Sequence, residues 1–85
     1  MEQINFMPRG FVRLLMETAE GCMETRARDP AVLPNPDPAP GQSHALTFYD
    51  CGCGCRRQVF GDAAREDDGR LVFTVAADKR FIIPG

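Results

Sequence analysis

Residues 8–30, "PRGFVRLLMETAEGCMETRARDP", form the longest patterned stretch of this 85-residue chain, and their reading sets the fold class. Phe11, Val12, Leu15, Ala19, Cys22 and Met23 recur at spacings of three and four, the mark of one apolar helix face. Arg9, Arg13, Glu17, Glu20 and Glu24 fall on the other side. Asn5 is placed to cap the start, and Pro8 is tolerated near the first turn. Pro30 ends the run, because the residue before a proline is driven out of the helical region. Gly21 costs such a helix ~1 kcal/mol relative to alanine and allows a bend or a close approach. The spacing predicts an amphipathic helix over residues 8–28.

Downstream, residues 29–43, "DPAVLPNPDPAPGQS", hold five of the seven prolines. Prolines at this density remove backbone donors and favour an extended path, so the segment reads as a stiff linker. The rest alternates like strands. In "HALTFYD" (44–50), Leu46 and Phe48 alternate with Thr47 and Tyr49. "RQVFG" (57–61) is a short strand, and Asp68-Gly69 signals a turn. "RLVFTVA" (70–76) sets Leu71, Phe73 and Val75 to one side, and "RFIIPG" closes the chain. The expectation is a single α+β domain over residues 1–85. It comprises a helix at 8–28, a proline-rich linker at 29–43, and a three- to four-stranded antiparallel sheet in 44–85 with a cysteine-rich turn.

Composition narrows the function classes. Hydrophobic residues at 44% and charged residues at 26% are ordinary for a soluble globular domain. A net charge of −2 argues against nucleic acid, whose binders usually show a basic domain. Charges interrupt the apolar stretch near the N-terminus, which excludes a spanning helix and a signal peptide there and points to the cytoplasm. Thiols stay reduced in that compartment, so clustered cysteines favour metal binding or redox work over a structural disulfide.

Three of the four cysteines crowd into "YDCGCGCRRQ" (49–58). Cys51, Cys53 and Cys55 on a straight strand would share a face, yet four residues of strand span ~13 Å. Thiolates around one zinc lie only ~3.8 Å apart, so the three can share an ion only if Gly52 and Gly54 let the chain curl. A fourth ligand would come from His44, from Cys22 or from a second chain, the last making a homo-oligomer. Zinc is therefore the candidate cofactor, with Cys51, Cys53, Cys55, His44 and Cys22 as candidate ligands. Two other readings stand beside it: a redox thiol activated by Arg56 and Arg57, and a purely structural turn between two strands. Tyr49, Phe48 and Phe60 near those arginines could form a small stacking surface, which the net charge and the flanking acids oppose.

No constellation of catalytic residues is present: one histidine, no G-x-S-x-G, no phosphate-cradling glycine loop and no H-E-x-x-H. The sequence points to a small non-enzymatic interaction protein, an adaptor, accessory subunit or inhibitor with a protein partner. Such a partner would dock on the sheet edge or the helix, sharing Phe6, Met7, Phe81, Ile82 and Ile83 at the chain ends. The alternatives are a metal-binding or thiol-redox protein, and a virus- or mobile-element-type inhibitor of a host complex.

Overall fold

Thr18 and Gly21 face each other across a two-residue turn, and that pairing makes a hairpin of residues 8–28. The turn is tied by the Thr18 hydroxyl, which accepts from the Glu20 N–H and donates to the Gly21 carbonyl, each at 3.2 Å. The computed structural model describes residues 4–50 and 52–83, and these are all β. The strands are β1 (Phe11–Thr18), β2 (Gly21–Pro34), β3 (His44–Asp50), β4 (Arg56–Arg65), β5 (Leu71–Ala76) and β6 (Lys79–Ile83). Each runs antiparallel to the next, and β6 returns to pair with β1, closing a six-stranded barrel. The expected α+β fold, with its helix, linker and smaller sheet, is thereby corrected.

The physical reason lies in the apolar run of β1. Leu14, Leu15 and Met16 are consecutive, so they satisfy a period of 3.6 as readily as a period of 2. In the barrel Leu14 is fully buried, opposite Thr25, and Ala27 two residues further on is fully buried opposite Val12. Two residues of the expected helical face, Phe11 and Met23, are instead 63% and 56% exposed. Arg, Glu, Met and Leu suit helices, but burial of the alternating set against four other strands outweighs that preference.

The linker expected at 29–43 dissolves into strand and loop. Residues 29–34 belong to β2, where the register with β3 shifts between Arg28 and Ala31. Two residues, Asp29 and Pro30, there oppose Phe48 alone, which is a β-bulge. Asp29 takes φ 48°, a left-handed conformation rare outside glycine. The extra residue inverts the alternation, so Thr25 and Ala27 point inward before the bulge, and Pro30 and Val32 after it. Pro30 is tolerated because a bulge releases one residue from the hydrogen-bond ladder. Pro34 ends β2, and Pro36, Pro38 and Pro40 sit in a hairpin loop closed by the Asn35 N–H to Ser43 carbonyl bond at 2.8 Å.

The interior is filled by Leu14, Ala27, Val32, Leu46, Phe48, Leu71, Phe73 and Ile83, with Ile4 of the N-terminal segment added. Phe6 bonds reciprocally with Val32, tying that segment to β2. On β4 the first half pairs with β3 and the second with β5. Gly61 stands at this handover, where a Cβ would meet the Thr74 carbonyl oxygen, so only glycine fits. Among the described residues no helix is long and apolar enough to cross a membrane.

Candidate functional site

Register brings four residues from four strands into one row. Phe11 pairs with Arg28, Arg28 with Tyr49, and Tyr49 with Arg56. Neighbouring strands lie ~4.8 Å apart, so the row runs ~14 Å across the barrel wall. These side chains face outward, since Ala27 and Phe48, their neighbours along β2 and β3, are buried in the interior. Arg26, two residues before Arg28, joins the same outer face.

Within the row aromatic rings and guanidinium groups stack. The Arg26 Cζ lies 5.4 Å from the centre of the Phe11 ring, and the Arg28 Cζ 4.9 Å from that of Tyr49. Both distances are within the reach of cation–π attraction, which tethers these exposed arginines to the rings. Arg13 pairs with Glu24 at 3.4 Å, but Arg26, Arg28 and Arg56 form no ion pair among the described residues. Beside Arg26 and Arg28 lies a groove of about 400 Å³, lined by Phe11, Arg26, Arg28, Tyr49, Asp50 and Gly54.

Among the described residues Asp50 is the one carboxylate lining that groove, and it is already engaged. Its Oδ1 accepts from the Gly52 N–H at 2.8 Å, and its Oδ2 from Arg57 Nε at 3.0 Å. The Gly52 bond first, then Arg57, hold the Asp50 carboxyl below the usual carboxylate range. Arg57 is pushed up in turn by the same carboxylate. The Asp50 main chain completes the β3–β4 turn, accepting from the Gly54 N–H at 2.7 Å and donating to the Cys55 carbonyl at 2.9 Å. Gly54 makes this possible with φ 71°.

The cysteine–glycine segment is thus the loop between β3 and β4. Cys51 lies outside the described residues. Cys53 and Cys55 are brought together: the Cys55 N–H points to Cys53 Sγ at 3.3 Å, and the Cys55 thiol to the Cys53 carbonyl at 3.8 Å. The Cys55 side chain lowers the Cys53 thiol pKa, and the same contact raises that of Cys55. Cys22 is elsewhere, opposite Glu17 beside the β1–β2 turn, five residues along β2 from the partner of Asp50. That separation is ~17 Å of strand. His44 stands at the other end of β3, six residues from Asp50 or ~20 Å away. Among the described residues, no group of three or more Cys, His, Asp or Glu side chains is placed to hold a metal ion.

His44 has a different setting. Its Nδ1 lies 2.9 Å from the Ser43 hydroxyl, which is 2.7 Å from Asp62 Oδ1. The hydroxyl has one proton, and the carboxylate takes it, so His44 Nδ1–H must be the donor to Ser43. The serine therefore stands between acid and imidazole. The trio thus lacks the order of an acyl-transfer triad, in which the imidazole takes the serine proton and the acid orients the imidazole.

Of the residues expected to meet a partner, Met7 is 63% exposed, and Phe6 and Phe81 pack partly buried against the core. Phe81 meets Phe48 edge to face at 6.4 Å. Ile82 and Ile83 are buried. Phe11, Arg26 and Arg28 were invisible as a site from sequence, where Phe11 falls on the apolar face of the expected helix and the two arginines belong to no site. A period-2 reading of 11–18 and 21–28 would have aligned them.

No protein-family model matches this chain, and no curated protein or solved structure is significantly similar to it.

Proposed function

We propose that this protein is a non-enzymatic interaction module whose working surface is the outer face of β1–β4, and that it takes an anionic macromolecular partner there. The observation that carries this reading is the pair of arginines stacked on exposed rings, Arg26 on Phe11 and Arg28 on Tyr49, with no carboxylate partner among the described residues. Burying an arginine against an anion is cheaper when the side chain is already held in place. Neither docking element read from the sequence is available, since the helix is replaced by strands and a closed barrel has no free edge. The reading includes a cytoplasmic setting, in which the exposed thiols of Cys22, Cys53 and Cys55 stay free.

Retention on a polyanionic resin tests it. The wild-type protein is expected to bind at low salt despite its net charge of −2, and to elute as salt screens the contact. Arg28→Glu should elute earlier, whereas Arg70→Glu should not, because Arg70 is already paired with Asp68 at 2.6 Å. Co-elution of Arg28→Glu with the wild type would reject this face.

A second reading rests on the Cys53–Cys55 contact, which favours the Cys53 thiolate and so supports thiol chemistry at the β3–β4 turn.

A further inference from the structure

We infer that the partner of this face is a single-stranded nucleic acid, with bases stacked along the Phe11–Arg28–Tyr49–Arg56 row and phosphates held by the arginines. This rests on the reading of the β1–β4 face as the working surface and names its ligand class. Three features support it together.

The first is the alternation itself. Ring, guanidinium, ring and guanidinium follow one another across four adjacent strands, because Phe11, Arg28, Tyr49 and Arg56 are successive cross-strand partners. Unpaired bases stack both on aromatic rings and on guanidinium planes, so each position of the row offers a platform. Phe11 at 63% and Tyr49 at 36% exposure leave ring surface open. An acidic peptide would use the charges and leave those rings idle.

The second is how charge is distributed. Several acidic side chains are neutralised by neighbouring arginines: Glu17 binds Arg80, Glu24 binds Arg13, Asp68 binds Arg70 and Asp50 binds Arg57. Arg26, Arg28 and Arg56 have no ion pair among the described residues and are left to a phosphate backbone, for which a guanidinium offers two parallel N–H donors.

The third is closure. An extended peptide usually binds by adding a strand to an open sheet edge, and the barrel presents none. A single strand of nucleic acid needs a groove and stacking faces, as on other small barrels. The groove of about 400 Å³ beside Tyr49 and Arg28 supplies the groove.

Fluorescence anisotropy with an oligothymidylate of about 12 nucleotides, within the site sizes of single small barrels, tests the inference. Saturable binding that weakens with salt is expected. Tyr49→Ala and Phe11→Ala should each weaken it roughly 5- to 100-fold, and Tyr49→Trp should keep it, since only stacking distinguishes these changes. Polyglutamate of matched charge should fail to displace the oligonucleotide. Displacement by polyglutamate, together with an unaffected Tyr49→Ala, would overturn the nucleic-acid assignment while leaving an anion-binding face intact. Failure of both polyanions to bind would remove the assignment and the face together.

Discussion

The Asp29 N–H donates to the Gly10 carbonyl at 2.9 Å, and the Gly10 N–H returns a bond of 2.7 Å to the Asp29 carboxylate. This reciprocal clasp sits where β2 slips register against β3, and it joins the entry of β1 to the bulge. The bulge inverts the alternation of β2, so it lets one strand keep Arg26 and Arg28 outside and still bury Val32 inside. Site and fold share this device.

Asp29 holds φ 48°, which a β-branched side chain rarely tolerates. Asp29→Val should therefore destabilise the protein by about 1–3 kcal/mol through strain and loss of the clasp. Asn accepts the left-handed conformation and can keep the bond to Gly10, so Asp29→Asn should cost less than half as much. Urea unfolding midpoints measure both.

A second comparison separates barrel from helix directly. Leu14 is fully buried, while Phe11 is 63% exposed. Leu14→Ala should cost about 2–5 kcal/mol, and Phe11→Ala less than about 1 kcal/mol. An amphipathic helix built on Phe11, Val12 and Leu15 would reverse the order. Thermal or denaturant unfolding of the two variants decides it.

Acid stability follows from three carboxylates. Asp50 is lowered first by the Gly52 N–H, Asp62 by the Ser43 hydroxyl, and Asp68 by the Arg70 N–H, each from an ordinary 3.8. A carboxyl group depressed in the folded state stabilises it fully above its unfolded pKa, and that contribution is lost as pH falls through the folded value. Stability should hold through neutral pH and fall below about pH 4. Asp62→Asn and Asp50→Asn should each lower stability at pH 7 and flatten the acid limb, as read from unfolding midpoints between neutral and acid pH.

The two thiols of the β3–β4 turn should not react alike. Cys53 is lowered by its contact with Cys55, and Cys55 is raised by the same contact. Near neutral pH, alkylation followed by peptide mass spectrometry should find Cys53 modified before Cys55. Cys55→Ala should erase the advantage of Cys53. Equal rates in the wild-type protein would remove the thiol reading.

Legibility from sequence divides along the chain at about residue 44. The stretch "HALTFYD" is the range of β3 and "RLVFTVA" exceeds that of β5 by one residue, with Leu46, Phe48, Leu71 and Phe73 buried as their periods require. There Thr47 and Tyr49 alternate with Leu46 and Phe48, and β-branched Val72, Thr74 and Val75 favour a strand. Residues 11–28 are rich instead in Leu, Met, Glu and Arg, which suit helices. Leu14, Leu15 and Met16 blur the period, and the turn at Ala19-Glu20 carries no Asn-Gly or Asp-Gly signal. The bulge at Asp29 then inverts the phase, so even a correct strand reading would lose its facing partway along β2. The candidate site was hidden for the same reason. Phe11 and Tyr49 stand 38 positions apart in the chain, and only the registers of β1, β2 and β3 place them in one row.

Backbone amide chemical-shift mapping during titration with the same oligothymidylate tests the central claim most directly. The largest changes should fall at Phe11, Arg26, Arg28, Tyr49 and Gly54, which line the groove on the β1–β4 face. Changes centred instead on the far groove, at Cys22, Met23, Asp78 and Lys79, or no changes at all, would contradict it.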